Sequence, residues 1–285
     1  MQAPVRYEAH HAQTTARRAA ANPTLELLER VGYVARGLLY GVMGWLALKL
    51  ALLKGGSATD LNGSLLAITR SPIGKPLLIA LIVGLAAYSI WGLVRAVFDP
   101  LHRGSKPAGL AERLGFVWSA FGYAALVVFA LHVLAGDGQA TAHDATQSSV
   151  RTLLSYPAGE WAAVLIGLVT IVGGLSQFWE AYKGRFLRDM KQGEMSPDTA
   201  KTVNFLGRMG YFSRGAVFTL VGWFILQAGL NSNPSGAHGY RGAFAFLLAQ
   251  PYGHLLLAVV ALGFIALGLH SIAMARWGRL LGSSY

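Results

Sequence analysis

Six long apolar segments dominate the pattern of hydrophobic and polar positions along the chain. They cover roughly residues 31–53, 76–98, 114–135, 161–182, 209–230 and 253–275. Each contains about twenty mostly apolar residues, the length that an α-helix needs to cross a bilayer. Because backbone polar groups in lipid have to be hydrogen-bonded within the segment, we predict that each is a helix. The predicted fold is an all-α membrane protein with six transmembrane helices.

The odd-numbered segments begin with copies of one sequence unit. The copies are RVGYVARGLLYG from Arg30, RLGFVWSAFGYA from Arg113 and RMGYFSRGAVFT from Arg208. Self-similarity at a long period indicates a repeat architecture. We call Arg30, Arg113 and Arg208 the anchor arginines.

A second recurring motif precedes the even-numbered segments. In LLAITRSPIG, LLSYPAG and LLAQPYG, the prolines Pro72, Pro157 and Pro251 are each followed two residues later by a glycine. Proline suits a first helical turn, so we expect these helices to begin there. The stretches just before the motif, near residues 63–70, 148–155 and 242–250, are predicted to be short helices at the outer membrane interface.

Each repeat therefore crosses the membrane twice, which gives all three copies the same orientation. We predict three parallel two-helix repeats around a pseudo-threefold axis along the membrane normal. The predicted division is a mobile basic tail at 1–24 and repeats at 25–105, 106–190 and 200–285.

Three features of the sequence point to a known family: the RxGYxxRG opening, the Pro-x-Gly motif and the three tandem units. The chain resembles a bacterial integral-membrane family known as a domain of unknown function, numbered twelve-hundred-six. The resemblance covers nearly the whole chain after the tail and implies an inner-membrane protein of six helices, without implying an activity. Repeat two departs from the motif, with Ser119 and Ala120 where the others have Arg-Gly.

Composition and charge agree with a membrane protein. Hydrophobic residues make up 54% of the chain and charged residues 13%, with a mean hydropathy of +0.44. Outside the segments, fifteen lysines and arginines lie in the connections on one side and five on the other. By the positive-inside rule this predicts a multi-pass protein of the bacterial inner membrane with both termini cytoplasmic. The net charge of +11 then indicates anionic lipid headgroups rather than nucleic acid as the partner.

Two arginines lie inside predicted membrane helices. Arg36 and Arg214 each follow an anchor arginine by six residues, and repeat two has Ser119 there. A charge at this depth is either paired, reaches the headgroups, or binds a ligand such as a phosphate. We favour pairing with Glu180, near the predicted cytoplasmic end of the fourth segment, because a buried charge is stable only with a hydrogen-bonded partner.

Near the outer ends of the odd segments, Lys49, His132 and Gln227 occupy equivalent positions. Around a central axis they would form one polar layer, with Arg36 and Arg214 forming another, as in a path for an anionic solute. The alternative is that they mark where each helix meets water.

Small residues recur four positions apart in the odd segments, a spacing that lets membrane helices approach closely. These helix-packing positions are Gly37 with Gly41, Ala120 with Ala124, and Gly215 with Thr219.

Cofactor and catalytic signatures are weak. His132 and His254 both lie near the outer face, where two imidazoles can ligate haem, whereas His270 lies too far along its helix to share a site with His254. We find no zinc-ligand spacing, phosphate loop or catalytic motif, and we predict no catalytic residues, no metal and no cofactor. The absence of cysteine excludes disulfides and thiolate chemistry.

Two functions from different classes remain. The first is a non-enzymatic scaffold, subunit or assembly partner of a membrane complex, with a protein partner in the membrane. The alternative is a transporter or channel for a small anionic solute along the repeat axis. Charge reversal at Arg36 or Arg214 would abolish flux without unfolding a transporter, whereas a structural role predicts misassembly.

Overall fold

In a computed structural model, the described residues are 23–52, 60–70, 72–99, 104, 106–136 and 145–278. The predicted tail at 1–24 lies almost wholly outside them. Over these ranges the chain forms helices joined by turns, with short 3₁₀ turns at Arg185–Asp189, Gln192–Glu194 and Pro234–Gly236. The helices are α1 Pro23–Ala51, α2 Leu61–Thr69, α3 Gly74–Phe98, α4 Pro107–Ala135, α5 Ala145–Leu154, α6 Gly159–Lys183, α7 Pro197–Leu230, α8 Tyr240–Leu248 and α9 Gly253–Trp277.

The six predicted membrane helices are confirmed. In the described ranges six helices, α1, α3, α4, α6, α7 and α9, are long and apolar enough to cross a membrane. Three of them begin well before the apolar segments, α1 at Pro23, α4 at Pro107 and α7 at Pro197. Ser196 stabilises the start of α7 as its N-cap, with its side chain accepting a hydrogen bond from the Thr199 backbone N–H at 3.2 Å.

The short helices are also present, as α2, α5 and α8, but the prolines do not lie in the first turns of the helices that follow. Those helices begin at the glycine of each Pro-x-Gly motif. A Cβ on Gly159 would collide with the Leu153 carbonyl oxygen, and one on Gly253 with that of Leu248. The motif is therefore a tight turn, in which glycine lets the end of the short helix approach the start of the next span.

Neighbouring repeats interlock. α3 packs on α4, α6 packs on α7, and α9 packs back on α1. In repeats one and three the two spans also pack on each other, α1 on α3 and α7 on α9, whereas α4 and α6 of repeat two are not closely packed together within the described ranges. The spans therefore follow the lateral order α6, α7, α9, α1, α3, α4. The axis relating the repeats stays a prediction.

The helices at the two ends of this order are the least covered by protein. In the most apolar stretch of α4 22% is buried, and in that of α6 17%, against 56% in α9. The buried apolar core lies instead around α1, α3, α7 and α9, with side chains such as Leu39, Leu85 and Phe264 fully enclosed.

The anchor arginines hold the interlocked pairs together. Each donates hydrogen bonds to backbone carbonyls at the end of the even-numbered span that packs on its helix. Carbonyls in a last helical turn have no partner within the helix, so these bonds satisfy them and place a cation at the negative end of the helix dipole. The bonds run from Arg30 to Ala275 and Arg276 (3.1 Å to Arg276), from Arg113 to Ala96 (2.7 Å) and Val97 (3.1 Å), and from Arg208 to Tyr182 (3.1 Å).

A strap formed by residues 184–195 crosses the same end of the bundle, which we call the anchor end. Gly184 ends α6 with a φ of 63° and turns the chain into the strap. Phe186 is buried there, against Tyr211 and His270 and over Gly207, which has no side chain to obstruct it. Arg185 and Arg188 of the strap pair with Glu112 at the start of α4. The strap therefore joins α6 to α4 at the anchor end.

Candidate functional site

Arg36 lies inside the bundle, with only 7% of its surface exposed. Its guanidinium donates a hydrogen bond to the Tyr88 hydroxyl on α3. The carbon of the guanidinium lies 5.3 Å from the centre of the Tyr88 ring and 5.7 Å from that of Tyr40, distances at which aromatic rings attract a cation. Its Nε atom is buried and has no hydrogen-bond partner in the described part of the chain.

Arg214 approaches the same place from α7. Its guanidinium carbon lies 6.0 Å from the centre of the Tyr40 ring and 4.8 Å from that of Phe218. No hydrogen bond to Arg214 is formed by the residues that the structure describes, and its buried Nε has no partner. Two cations therefore lie against one tyrosine ring.

Tyrosines form the walls around these arginines. The Tyr123 hydroxyl on α4 donates to the Tyr40 hydroxyl at 3.2 Å, and the Tyr123 and Tyr88 rings meet edge to face at 4.8 Å. Sequence reasoning missed the tyrosines, although the repeat contains a signal for them. Tyr40 and Tyr123 occupy the same position in repeats one and two, where repeat three has Phe218.

The predicted pairing of Glu180 with Arg36 or Arg214 is wrong. In the structure the Glu180 carboxylate lies 3.9 Å from the guanidinium of Arg185, and Glu180 remains partly exposed. The physical reason is the turn at Gly184, which brings a closer cation back onto the end of α6. Within the described ranges neither Arg36 nor Arg214 forms an ion pair.

A different intramembrane arginine does have an acid partner. Arg95 of α3 pairs with Glu29 of α1 and donates to the Tyr33 hydroxyl at 2.7 Å, and the Glu29 side chain is fully buried. The rings of Trp91 and Phe116 also lie over the Arg95 guanidinium, at 5.1 and 5.6 Å. Sequence reasoning missed this pair as well. Its signal is an acid directly before the anchor arginine, which occurs in two repeats, at Glu29 and Glu112.

Comparison with known proteins assigns the family. The family model for a domain of unknown function, DUF1206, matches three times, at residues 31–99, 114–184 and 209–278, once within each predicted repeat. The chain belongs to this family. A relative from Bacillus subtilis (strain 168), described as "Uncharacterized protein YxxB", is 31% identical over 250 residues, which cover 88% of this chain and 90% of the relative. No solved structure matches.

The small residues of the DUF1206 repeat lie where spans of neighbouring repeats meet. Gly37 and Gly41 of α1 receive Gly268 of α9, and a Cβ on Gly37 would lie 2.7 Å from the Gly268 carbonyl oxygen. Gly215 and Thr219 of α7 receive Gly174 of α6 in the same way, at 3.0 Å between a Gly174 Cβ and the Gly215 carbonyl oxygen.

In repeat two the equivalent contact includes a hydrogen bond. Ser89 donates to the Ala120 carbonyl at 2.8 Å, and a Cβ on Gly92 would lie 3.0 Å from the Ala120 Cβ. Ala124, the second predicted position of this pair, is only half-buried.

The predicted outer polar layer is not formed by contacts among its members. Each side chain has a partner on its own helix or just beyond its end. Lys49 lies over the Trp45 ring at 5.8 Å, the Nδ1 atom of His132 lies 2.9 Å from the Val128 carbonyl, and Gln227 accepts from Asn231 at 3.3 Å. His132 is exposed on the surface of α4. These contacts fit side chains at the ends of membrane helices.

The three helical histidines lie in three different surroundings. The Nδ1 atom of His254 lies 3.0 Å from the Ala51 carbonyl on α1, whereas His132 is on the exposed face of α4. His270 is buried between the rings of Phe186 and Tyr211. Among the described residues, no three histidine, aspartate or glutamate side chains are grouped to hold a metal ion.

The arginine site, defined as Arg36, Arg214, Tyr40, Tyr88 and Tyr123, has a clear chemical character. It presents the guanidinium group of buried Arg36, that of half-buried Arg214 and several phenol hydroxyls. Guanidinium groups bind carboxylate and phosphate oxygens by charge-assisted hydrogen bonds. The arrangement is therefore suited to holding an anionic group.

Proposed function

We propose that this DUF1206 protein is a non-enzymatic membrane protein that binds an anionic group between Arg36 and Arg214. The observation that carries the proposal is the meeting of buried Arg36 and half-buried Arg214 at the Tyr40 ring, without an acid partner among the described residues. Burying an unpaired cation costs free energy, and two like charges at one ring add repulsion. A bound anion offsets both costs.

Binding of an anion is the first step of anion transport. The proposal therefore also gives the transport alternative a specific binding site. The residues that support it differ from the predicted path. The outer layer of Lys49, His132 and Gln227 contributes no contact to the arginine site in the described part of the chain, whereas Tyr40, Tyr88 and Tyr123 do.

Titration of the purified protein with inorganic phosphate, and separately with phosphatidylglycerol in mixed micelles, tests the proposal. Losing one charged hydrogen-bonding partner weakens anion binding by about tenfold or more. We therefore expect Arg36→Gln and Arg214→Gln each to raise the Kd by that factor for whichever probe binds. Arg241→Gln, at an exposed arginine outside the site, is the control and leaves the Kd unchanged.

The affinities of the double variant decide the outcome. If Arg36→Gln with Arg214→Gln retains wild-type affinity for both probes, or if neither probe binds the wild-type protein, the proposal fails. Retention of a single symmetric peak in size-exclusion chromatography shows that the variants are folded.

A role as an assembly partner is the second candidate, and one surface favours it. A groove of about 560 Å³ lies between α7 and α9 at the anchor end, with apolar walls that include Leu206, Leu269 and Ile272. An apolar groove of this kind can receive the apolar face of an amphipathic helix from another protein. Filling it with Thr202→Trp is expected to abolish co-purification with a membrane partner and to leave anion binding unchanged.

A further inference from the structure

The two spans of repeat two leave an opening in the side of the bundle. α1 packs on α3 and α7 packs on α9, but α4 and α6 are not closely packed in the described ranges. We call the space between them the repeat-two opening. Both helices are also the least buried of the six, so this side of the bundle is the least covered by protein.

The α4 side of the opening is small and polar. Tyr123 extends from α4 to Tyr40 in the arginine site, and residues three to four positions away on α4 lie on the flank beside it. Ser119 lies four positions before Tyr123, Gly115 lies one further turn away, and Gly122 adjoins Tyr123 in sequence; a Cβ on either glycine would meet nothing within 4 Å.

The corresponding flank of α6 consists of Thr170, Gly173 and Gln177. A Cβ on Gly173 would also meet nothing within 4 Å, whereas its neighbour Gly174 is tightly packed on α7. The Oε1 atom of Gln177 is buried and has no hydrogen-bond partner in the described part of the chain. The Gln177 Cβ lies beside Gly215, which adjoins Arg214 in sequence, so this flank lies at the depth of the arginine site.

The outward faces of the same helices are strongly apolar. Phe121 of α4 is 65% exposed, and Leu165 and Val172 of α6 are exposed to a similar degree. A path through the opening therefore runs from an apolar outer surface, across a small and polar lining, to two cations.

At the anchor end, the strap covers the bundle in the part of the chain that the structure describes. Phe186 of the strap is buried against Tyr211 and His270, and Arg185 and Arg188 hold the strap to Glu112 of α4. An anion approaching from water at that end meets this closure, whereas a molecule dissolved in the bilayer meets the opening directly.

We propose that the ligand of the arginine site is an anionic lipid, which places its headgroup between Arg36 and Arg214 through the repeat-two opening while its acyl chains remain against the outward faces of α4 and α6. This inference rests on the proposed anion binding and adds the source of the anion. Charge complementarity and the change from apolar surface to polar lining both match an amphiphile with a negative headgroup.

Closing the opening tests the inference. The chain has no cysteine, so Gly122→Cys and Gly173→Cys introduce the only thiols, at two positions with room for a side chain. A bismaleimide bridges α4 and α6 in the double variant. The controls are the same double variant without the reagent and each single variant treated with it.

We expect bridging to weaken binding of phosphatidylglycerol by about tenfold or more, with the uncrosslinked and single variants at wild-type affinity. Phosphatidylcholine in the same micelles, which has no net charge, is expected to bind weakly throughout. Failure of the two cysteines to cross-link, or full phosphatidylglycerol affinity after bridging, would overturn the lateral route.

Inorganic phosphate separates the inference from the proposed function. If phosphate binds, depends on Arg36 and Arg214, and phosphatidylglycerol does not bind, the anion site stands and the lipid inference fails. If Arg36→Gln with Arg214→Gln leaves the affinity for both probes unchanged, the anion site itself fails.

Discussion

Arginines inside the bundle form two clusters, and the positive charge of each cluster is surrounded by different groups. Arg95 is compensated by a carboxylate, since Glu29 is fully buried beside it and Tyr33 supplies a further hydrogen bond. Arg36 and Arg214 have aromatic rings and one tyrosine hydroxyl, and no acid among the described residues. The charges of the first cluster balance without a ligand, although Glu29 Oε2 and Arg95 Nε are buried without a hydrogen-bond partner in the described part of the chain. The second cluster has no negative charge among the described residues, and on that ground we propose binding for it and structural support for Arg95.

Burial in the bundle does not by itself separate the two clusters. Arg95 and Arg36 are equally buried, each with 7% of its surface exposed. Both also lie over tyrosine rings, Arg95 over Tyr33 and Arg36 over Tyr40. The presence or absence of a carboxylate distinguishes them, and that depends on which helices pack together.

Removing the acid from the Glu29 and Arg95 cluster is expected to have the largest effect. Glu29→Gln leaves Arg95 buried without a compensating charge, which costs about 3 to 5 kcal/mol in the free energy of unfolding. Glu26→Gln is the matched control, because the Glu26 and Arg30 pair is partly exposed and a surface pair contributes roughly 0 to 1 kcal/mol. Reversible unfolding in mixed detergent micelles measures both.

The double variant Glu29→Gln with Arg95→Gln removes both charges and is expected to recover part of the lost stability. Equal unfolding free energies for Glu29→Gln and Glu26→Gln would show that Arg95 tolerates the loss of its acid, and the contrast between the two clusters would then disappear.

The repeats in the sequence predicted the helices of this fold, but they did not predict which residues pair with the charged side chains. The six spans and three short helices follow from apolar length and from the recurring Pro-x-Gly motif. Arg36 and Arg214 were found because they recur at one position of the repeat. The predicted partner of Glu180 was wrong because the turn at Gly184 brings Arg185 onto the end of α6.

The Glu29 and Arg95 pair was missed for a related reason. Glu29 lies before the apolar segment predicted at 31–53, whereas in the structure α1 already includes it. Its partner comes from another helix, so neither sequence distance nor hydrophobic periodicity connects the two. The lateral order of the spans, and with it the repeat-two opening, depends on such pairings and lay beyond the sequence.

Removing one tyrosine hydroxyl from each cluster tests the same difference with a smaller expected effect. Tyr88→Phe removes the one hydrogen bond that Arg36 makes within the described ranges, and hydrogen bonds to charged groups contribute about 1.5 to 3 kcal/mol. Tyr33→Phe is expected to cost roughly 1 kcal/mol, because Glu29 still compensates Arg95. Both variants keep the ring, so packing is matched. Unfolding free energies without added anion measure the difference, and a larger loss for Tyr33→Phe would contradict the assignment.

The anchor arginines lie in a third environment, at helix ends, and replacing one of them is expected to have the smallest effect on stability. Arg113 bonds the Ala96 and Val97 carbonyls at the end of α3 and is partly exposed, so water replaces its contacts when it is removed. Arg113→Gln is therefore expected to lower the free energy of unfolding by about 1 kcal/mol, the contribution of a helix-end interaction, and to leave anion affinity unchanged. Arg151→Gln, at an exposed arginine of α5, is the control. A loss of stability as large as that of Glu29→Gln would mean that the contact between α3 and α4 depends on this cation. Arginines at helix ends would then stabilise the bundle as much as the buried ion pair does.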